Sequence, residues 1–162
     1  MGQMKRKDFA HYFDTATNGT LTPDWALEGI GVEALSLSYN PQIDTFKQII
    51  DDVASSTFDS YQIQSSVSGK RIDKDDPIWK WLNEARKKSE SIETKMLEVN
   101  MASGTGSGAL SYEALQYNVL IVINEFLGEN ATISYDVYVK GKPTVGSVSI
   151  TSGKPTFTES AD

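Results

Sequence analysis

Cysteine is absent from this chain and histidine occurs once, at position 11. Without cysteine there is no disulfide framework, no thiolate zinc site and no cysteine nucleophile. A single histidine leaves a Ser-His-Asp triad or a multi-histidine metal centre without its parts. Lying within the polar, turn-rich first 24 residues, His11 is expected to be solvated. No run of about 18 apolar residues is present to span a bilayer, and "MGQMKRKDFAHYF" carries basic residues with no apolar stretch of signal length behind them. Neither a membrane partner nor export is therefore expected. An excess of positive charge is also missing. The formal net charge is -7, whereas a surface that wraps DNA or RNA needs clustered Lys and Arg to displace counterions. The same charge is compatible with a surface that nucleic acid passes without adhering.

What is present is enough for one domain. The 162 residues are 39% hydrophobic, and a chain of this size buries roughly two thirds of the surface it exposes when unfolded. Residues 1–24, including "TATNGTLTPD", read as an irregular arm, and 25–162 as a single β domain. Leu35, Leu37 and Tyr39 alternate with Ser36 and Ser38, as in a strand with one buried face. Asn40-Pro41 interrupts that strand, and a proline without an N–H belongs at an edge or a bulge. "QIDTFKQII" resumes extended character, "DDVASSTFDS" reads as the acidic tip of a protruding hairpin, and Tyr61, Ile63 and Val67 open another strand.

The period changes once, at "DDPIWKWLNEARKKSE". Asp76 is placed to cap a helix over about 76–89, Pro77 occupies the first helical position, and Ile78, Trp81, Leu82 and Ala85 share a face. Asp75 and Asp76 precede the positive end of the dipole, and Arg86, Lys87 and Lys88 follow at the negative end. Beyond it, alternation returns at Leu97, Val99 and Met101. "SGTGSG" reads as a flexible connection, 119–123 is apolar at every position as in a strand covered on both faces, and Ile133, Tyr135, Val137 and Val139 alternate again. "GKPT" occurs at 141–144 and 153–156, and both copies are expected to be turns between successive strands of a C-terminal meander.

Several patterns imitate functional sites. Asp73, Asp75 and Glu84 fall at EF-hand positions one, three and twelve, but Pro77 and Ile78 occupy positions that need an oxygen ligand and a sharp-turn glycine. "GTGSG" precedes a strand where a nucleotide loop would open a helix. Trp79 and Trp81 on a short amphipathic helix read as core or subunit-contact residues. The sequence therefore points to no catalytic residues, no metal site and no cofactor, and to a protein that is not an enzyme.

The order of these segments, carried by "LSYNPQIDTFKQI", "DPIWKWLNEAR" and "GSVSITSGKPTFTE", resembles the major tail tube protein of long-tailed, non-contractile bacteriophages and phage-derived tail-like particles. The resemblance spans about 35–160. It implies a mainly β fold, an antiparallel β-sandwich with one flanking helix, whose inner sheets form a barrel within a hexameric ring. It also implies rings stacked into a tube that conducts DNA without binding it specifically, tape measure and tail terminator proteins as further partners, and residence in the virion tail after assembly in the host cytoplasm. Residues 47–60 would be the long loop reaching a neighbouring ring, and the arm with Trp25 an inter-subunit contact. The assembly-interface candidates are Trp25, Asp51, Asp52, Ser55, Ser56, Thr57 and Phe58. A reading from another class is a monomeric β-sandwich module for a glycan or protein ligand, anchored by tryptophans.

Overall fold

The computed structural model describes residues 2–16, 22–32 and 35–161. Residues 17–21, within the segment expected to be irregular, lie outside that range. After a single 3-10 turn, Arg6–Asp8, the elements are β1 (Phe9–Asp14), β2 (Trp25–Leu27), β3 (Pro41–Phe46), β4 (Ser55–Tyr61), β5 (Gln64–Arg71), α1 (Pro77–Lys88), β6 (Ile92–Thr105), β7 (Ser111–Leu127), β8 (Thr132–Thr151) and β9 (Lys154–Glu159). Seven strands form one antiparallel sheet in the order β2-β1-β6-β7-β8-β5, with β9 also paired to β8; β3 and β4 pair only with each other. The fold is mainly β and antiparallel, with one flanking helix.

Two hydrophobic clusters occupy opposite faces of the large sheet. Phe13, Met96, Tyr117, Val119, Tyr135 and Val137 pack beneath Ile78 and Leu82 of α1. Tyr12, Leu97, Val99, Ala114 and Val148 form the second cluster with Trp25 and Phe157. Adjacent residues such as Phe13 and Tyr12, or Met96 and Leu97, point to opposite sides of a strand. One sheet thus serves two cores. In the second core β2 meets β9, which is not its neighbour in the strand order, and Lys154 Nζ closes that seam by donating to Trp25 O at 2.9 Å. The sandwich expected from the sequence is realised as one sheet curled over itself.

Several expectations are corrected. The first 24 residues include β1, an interior strand bonded to both β2 and β6, because Tyr12 and Phe13 each have a core to enter. His11 is consequently buried, not solvated, with Nε2 3.0 Å from Glu98 Oε2. Residues 35–39 form no strand beyond a bridge between Ser38 and Gln64. Ser103, Gly104 and Thr105 belong to β6, so the flexible connection is shorter than expected. Only the second "GKPT" is a turn, with Ser152 and Gly153 at φ 51 and 77, the pair of positive angles that suits a tight hairpin. The first lies inside β8, where three residues (141–143) oppose Tyr117 alone. Two extra residues leave the alternation of faces unchanged, so the strand crosses from one core to the other without reversing its side chains.

The helix forms as its sequence predicts. Asp76 Oδ1 accepts the Ile78 N–H at 3.0 Å, Pro77 is the first residue, and Ser89 ends the helix at φ 55. Of the EF-hand imitators, Asp73 Oδ1 accepts the Asp75 N–H in the turn before the cap, and Glu84 pairs with Lys87 on the helix surface.

Beneath the helix cap lies a fully buried polar quartet. Lys70 Nζ donates to Glu28 Oε1 and to Ile30 O, both at 2.6 Å, and lies 2.8 Å from Asp76 Oδ2; the Tyr135 hydroxyl donates to Glu28 Oε2 at 2.6 Å. Simple alternation from Ser65 and Val67 would place Lys70 outside. A bulge between Val67 and Lys70, with Gly69 at φ 66, turns it inward. Burial raises the Glu28 carboxyl above its ordinary 4.5, with Lys70 and Tyr135 opposing the rise. The folded chain therefore keeps a proton that the unfolded chain has released between 4.5 and the raised value, and this contribution to stability falls as pH rises through that window. Glu28→Gln retains an acceptor for Tyr135 and removes the titration. Urea unfolding between about pH 4 and pH 8 should show the wild type losing stability relative to Glu28→Gln as pH rises; a constant difference would contradict the assignment.

Candidate assembly surface

The β3–β4 hairpin leaves the body at Asn40, which adopts φ 40 and donates through Nδ2 to Gln62 O at 3.1 Å. Asparagine is among the few residues that take this conformation readily. The neighbouring Tyr39 O accepts the Gln62 N–H, so the base is pinned on both strands. Pro41 stands at the first position of β3, opposite Tyr61, where the edge of the small sheet tolerates a missing donor. A bulge falls between Gln42 and Ile43, after which the pairs run in step from Ile43 with Phe58 to Phe46 with Ser55.

The exposed side chains of this hairpin are of the kind that folding normally hides. Ile49 is fully exposed at 104%, Ile50 at 83% and Val53 at 79%, with Phe46 at 65%. Nearer the base, Tyr61 stands 5.5 Å from Tyr39 and 4.8 Å from Phe58, ring centre to ring centre, and Phe58 is paired in the ladder with Ile43. The edge-on and tilted angles of 77° and 54° make a ridge, not a flat platform. The hairpin carries Asp44 on β3, Asp59 on β4 and Asp51 and Asp52 between them, against a single cation, Lys47. Asp51 is partly committed to the turn, since its Oδ2 accepts the Gln48 N–H at 3.1 Å.

Of the sequence-derived candidates, Asp51 and Asp52 sit at the tip. Ser55, Ser56, Thr57 and Phe58 sit on β4, so the tip is 47–54 and not the segment ending at Ser60. Trp25 is elsewhere: it is 5% exposed and packs in the second core. Trp79 stacks on Phe126, over which Arg86 lies at 4.4 Å, and Trp81 packs on Phe13. None of the three tryptophans projects as a ligand anchor. Ile43, Phe46, Ile49, Ile50 and Val53 were missed as candidates, although the Ile49-Ile50 pair beside two aspartates, in a stretch with no buried periodicity, was the available signal. Elsewhere, an open cleft of about 380 Å³ lies between the end of α1 and the start of β6. No group of three or more metal-ligating side chains is gathered among the described residues.

No protein-family model matches the chain, and no curated protein matches it either. Among solved structures, a chain from the cryo-EM structure of the anti-feeding prophage (AFP) baseplate, 6-fold symmetrised, is similar at 9% identity with a TM-score of 0.49. The match covers 86% of this chain and 91% of that one.

Proposed function

We propose that this protein is a structural, self-assembling subunit of a phage-type tail tube, forming stacked hexameric rings through which DNA passes. The observation that carries this reading is the β3–β4 hairpin. A lone two-stranded hairpin is marginal in water, and contiguous exposed apolar groups of this kind mark a surface that another macromolecule covers. The segment order described above supplies the tail-tube assignment, with tape measure and terminator proteins as further partners and the virion tail as the final location. A ligand-binding module anchored by tryptophan is disfavoured by the packing of all three indoles against other parts of the chain.

The test is sedimentation velocity with negative-stain electron microscopy on the purified chain over a wide concentration range. Rings or tubes growing with concentration are expected. A monomer at every concentration, including in the presence of preformed tail-tube seeds, would overturn the reading.

A further inference from the structure

The hairpin tip is acidic as well as apolar, and this decides which surface it can meet. Two tips facing each other across a two-fold axis would bring together two Asp51-Asp52 pairs against two copies of Lys47, a net like-charge juxtaposition that opposes association. The partner surface is therefore a different part of a second copy, and contacts of that head-to-tail kind generate rings or filaments.

Several cations of the chain are engaged elsewhere. Lys70 is buried in its quartet, Lys140 pairs with Glu93, and Lys154 with Asp24. Lys74 is flanked in sequence by Asp73 and Asp75. Arg71, Lys80, Lys95 and Lys142 lie outside any run of three basic residues, and two such runs stand apart from them, Arg86-Lys87-Lys88 and Lys5-Arg6-Lys7. In the first, at the end of α1, Arg86 covers Phe126 and Lys87 pairs with Glu84. In the second, Lys5 and Lys7 are exposed and have no ion pair among the described residues, and Met4 beside them is 48% exposed. This run is held in a folded turn. Asp8 N–H donates to Lys5 O at 2.9 Å, and Lys5 N–H donates to Asp8 Oδ2 at 2.6 Å. The turn thus presents an apolar side chain flanked by positive charge, complementary to an apolar tip flanked by negative charge.

We propose that residues 4–7 of one copy receive the 47–54 hairpin tip of the next, with Met4 against Ile49, Ile50 and Val53 and Lys5 and Lys7 facing Asp51 and Asp52. This rests on the self-assembly reading and specifies its contact. Met is adaptable enough to fill an irregular gap between aliphatic side chains. The flanking charges fix orientation and exclude tip-to-tip pairing.

The test is charge exchange, read by sedimentation velocity, with thermal unfolding as the check on folding. Lys5→Glu with Lys7→Glu, and separately Asp51→Lys with Asp52→Lys, should each raise the concentration needed for assembly at least tenfold. The fourfold variant carrying both exchanges should recover it. Because the chain has no cysteine, Met4→Cys and Val53→Cys copies, mixed and oxidised, should also yield the mixed disulfide dimer. The proposal is overturned if either reversed variant assembles at the wild-type concentration, or if the folded fourfold variant does not recover. It is likewise overturned if the Met4→Cys and Val53→Cys copies, once mixed, do not cross-link. A wild-type chain that never assembles would remove the self-assembly reading itself, whereas wild-type assembly indifferent to these charges would remove the contact alone.

Discussion

Lys70→Ala is expected to lower the unfolding free energy by about 3–5 kcal/mol, the usual cost of removing one partner from a buried ion pair. The ammonium serves two carboxylates and the Ile30 carbonyl. Without it, Glu28 and Asp76 are left buried with no counter-charge, and the Ile30 carbonyl loses its donor. Part of any alanine effect is lost packing of the lysine stem, so Lys70→Met separates the causes. It retains most of the stem volume and should still lose the larger part of the stability, because the uncompensated charge remains. Urea unfolding monitored by tryptophan fluorescence reads both variants. A loss below about 1 kcal/mol in both would mean that proton uptake by the carboxyls or entry of water relieves the site. Asp76 also caps α1, so the damage should reach the helix.

Excising 47–54 and joining Phe46 to Ser55 through Asn-Gly is expected to abolish assembly while leaving the fold intact. Phe46 and Ser55 are already opposite each other in the ladder, so a two-residue turn of the type favoured by twisted strands closes the gap without changing register. No member of either core is removed. The unfolding free energy should therefore change by no more than about 0.5 kcal/mol, as for surface changes away from special features. Sedimentation velocity should show a folded monomer at concentrations where the wild type is expected to form larger species. Wild-type-like assembly of this variant would show that stacking does not use the tip. The cut has to spare 55–57: these residues read as loop in the sequence, but they are strand β4, and removing them would destroy the hairpin.

The elements legible in the sequence were those whose signals are local. The α1 boundaries followed from Asp76, Pro77 and the basic last turn, and the long C-terminal strands followed from clean alternation at 133–139. The reading failed where tertiary partners decide. Phe9–Asp14 reads as arm because its only deeply buried apolar side chains, Tyr12 and Phe13, are adjacent and enter different cores. Alternation cannot show a strand that has a core on both faces. Lys70 was invisible for a related reason: its inward direction comes from the Gly69 bulge, which breaks the very period used to assign faces. The candidate surface was half legible. The hairpin and its acidic tip could be placed, but the exposure of Ile49, Ile50 and Val53 could not, since aliphatic residues ordinarily signal a core. Trp25, which the resemblance places at an inter-subunit contact, packs within the second core of its own chain.

Strand β1 is made first and completed late. Its short partner β2 offers only three pairs, and its main partner lies far downstream, with His11 and Glu98 87 positions apart. During synthesis Tyr12 and Phe13 wait for β6 before either cluster can close, since distant pairings carry the larger entropic cost of loop closure. The β3–β4 hairpin, whose partners are close in sequence, can form as soon as both strands are made. The nascent chain thus displays its most apolar protrusion before it possesses a core. In that interval Asp51 and Asp52 at the tip, with Asp44 and Asp59 on its strands, would act as gatekeepers against premature association, giving the same charges a role in production as well as in the proposed assembly.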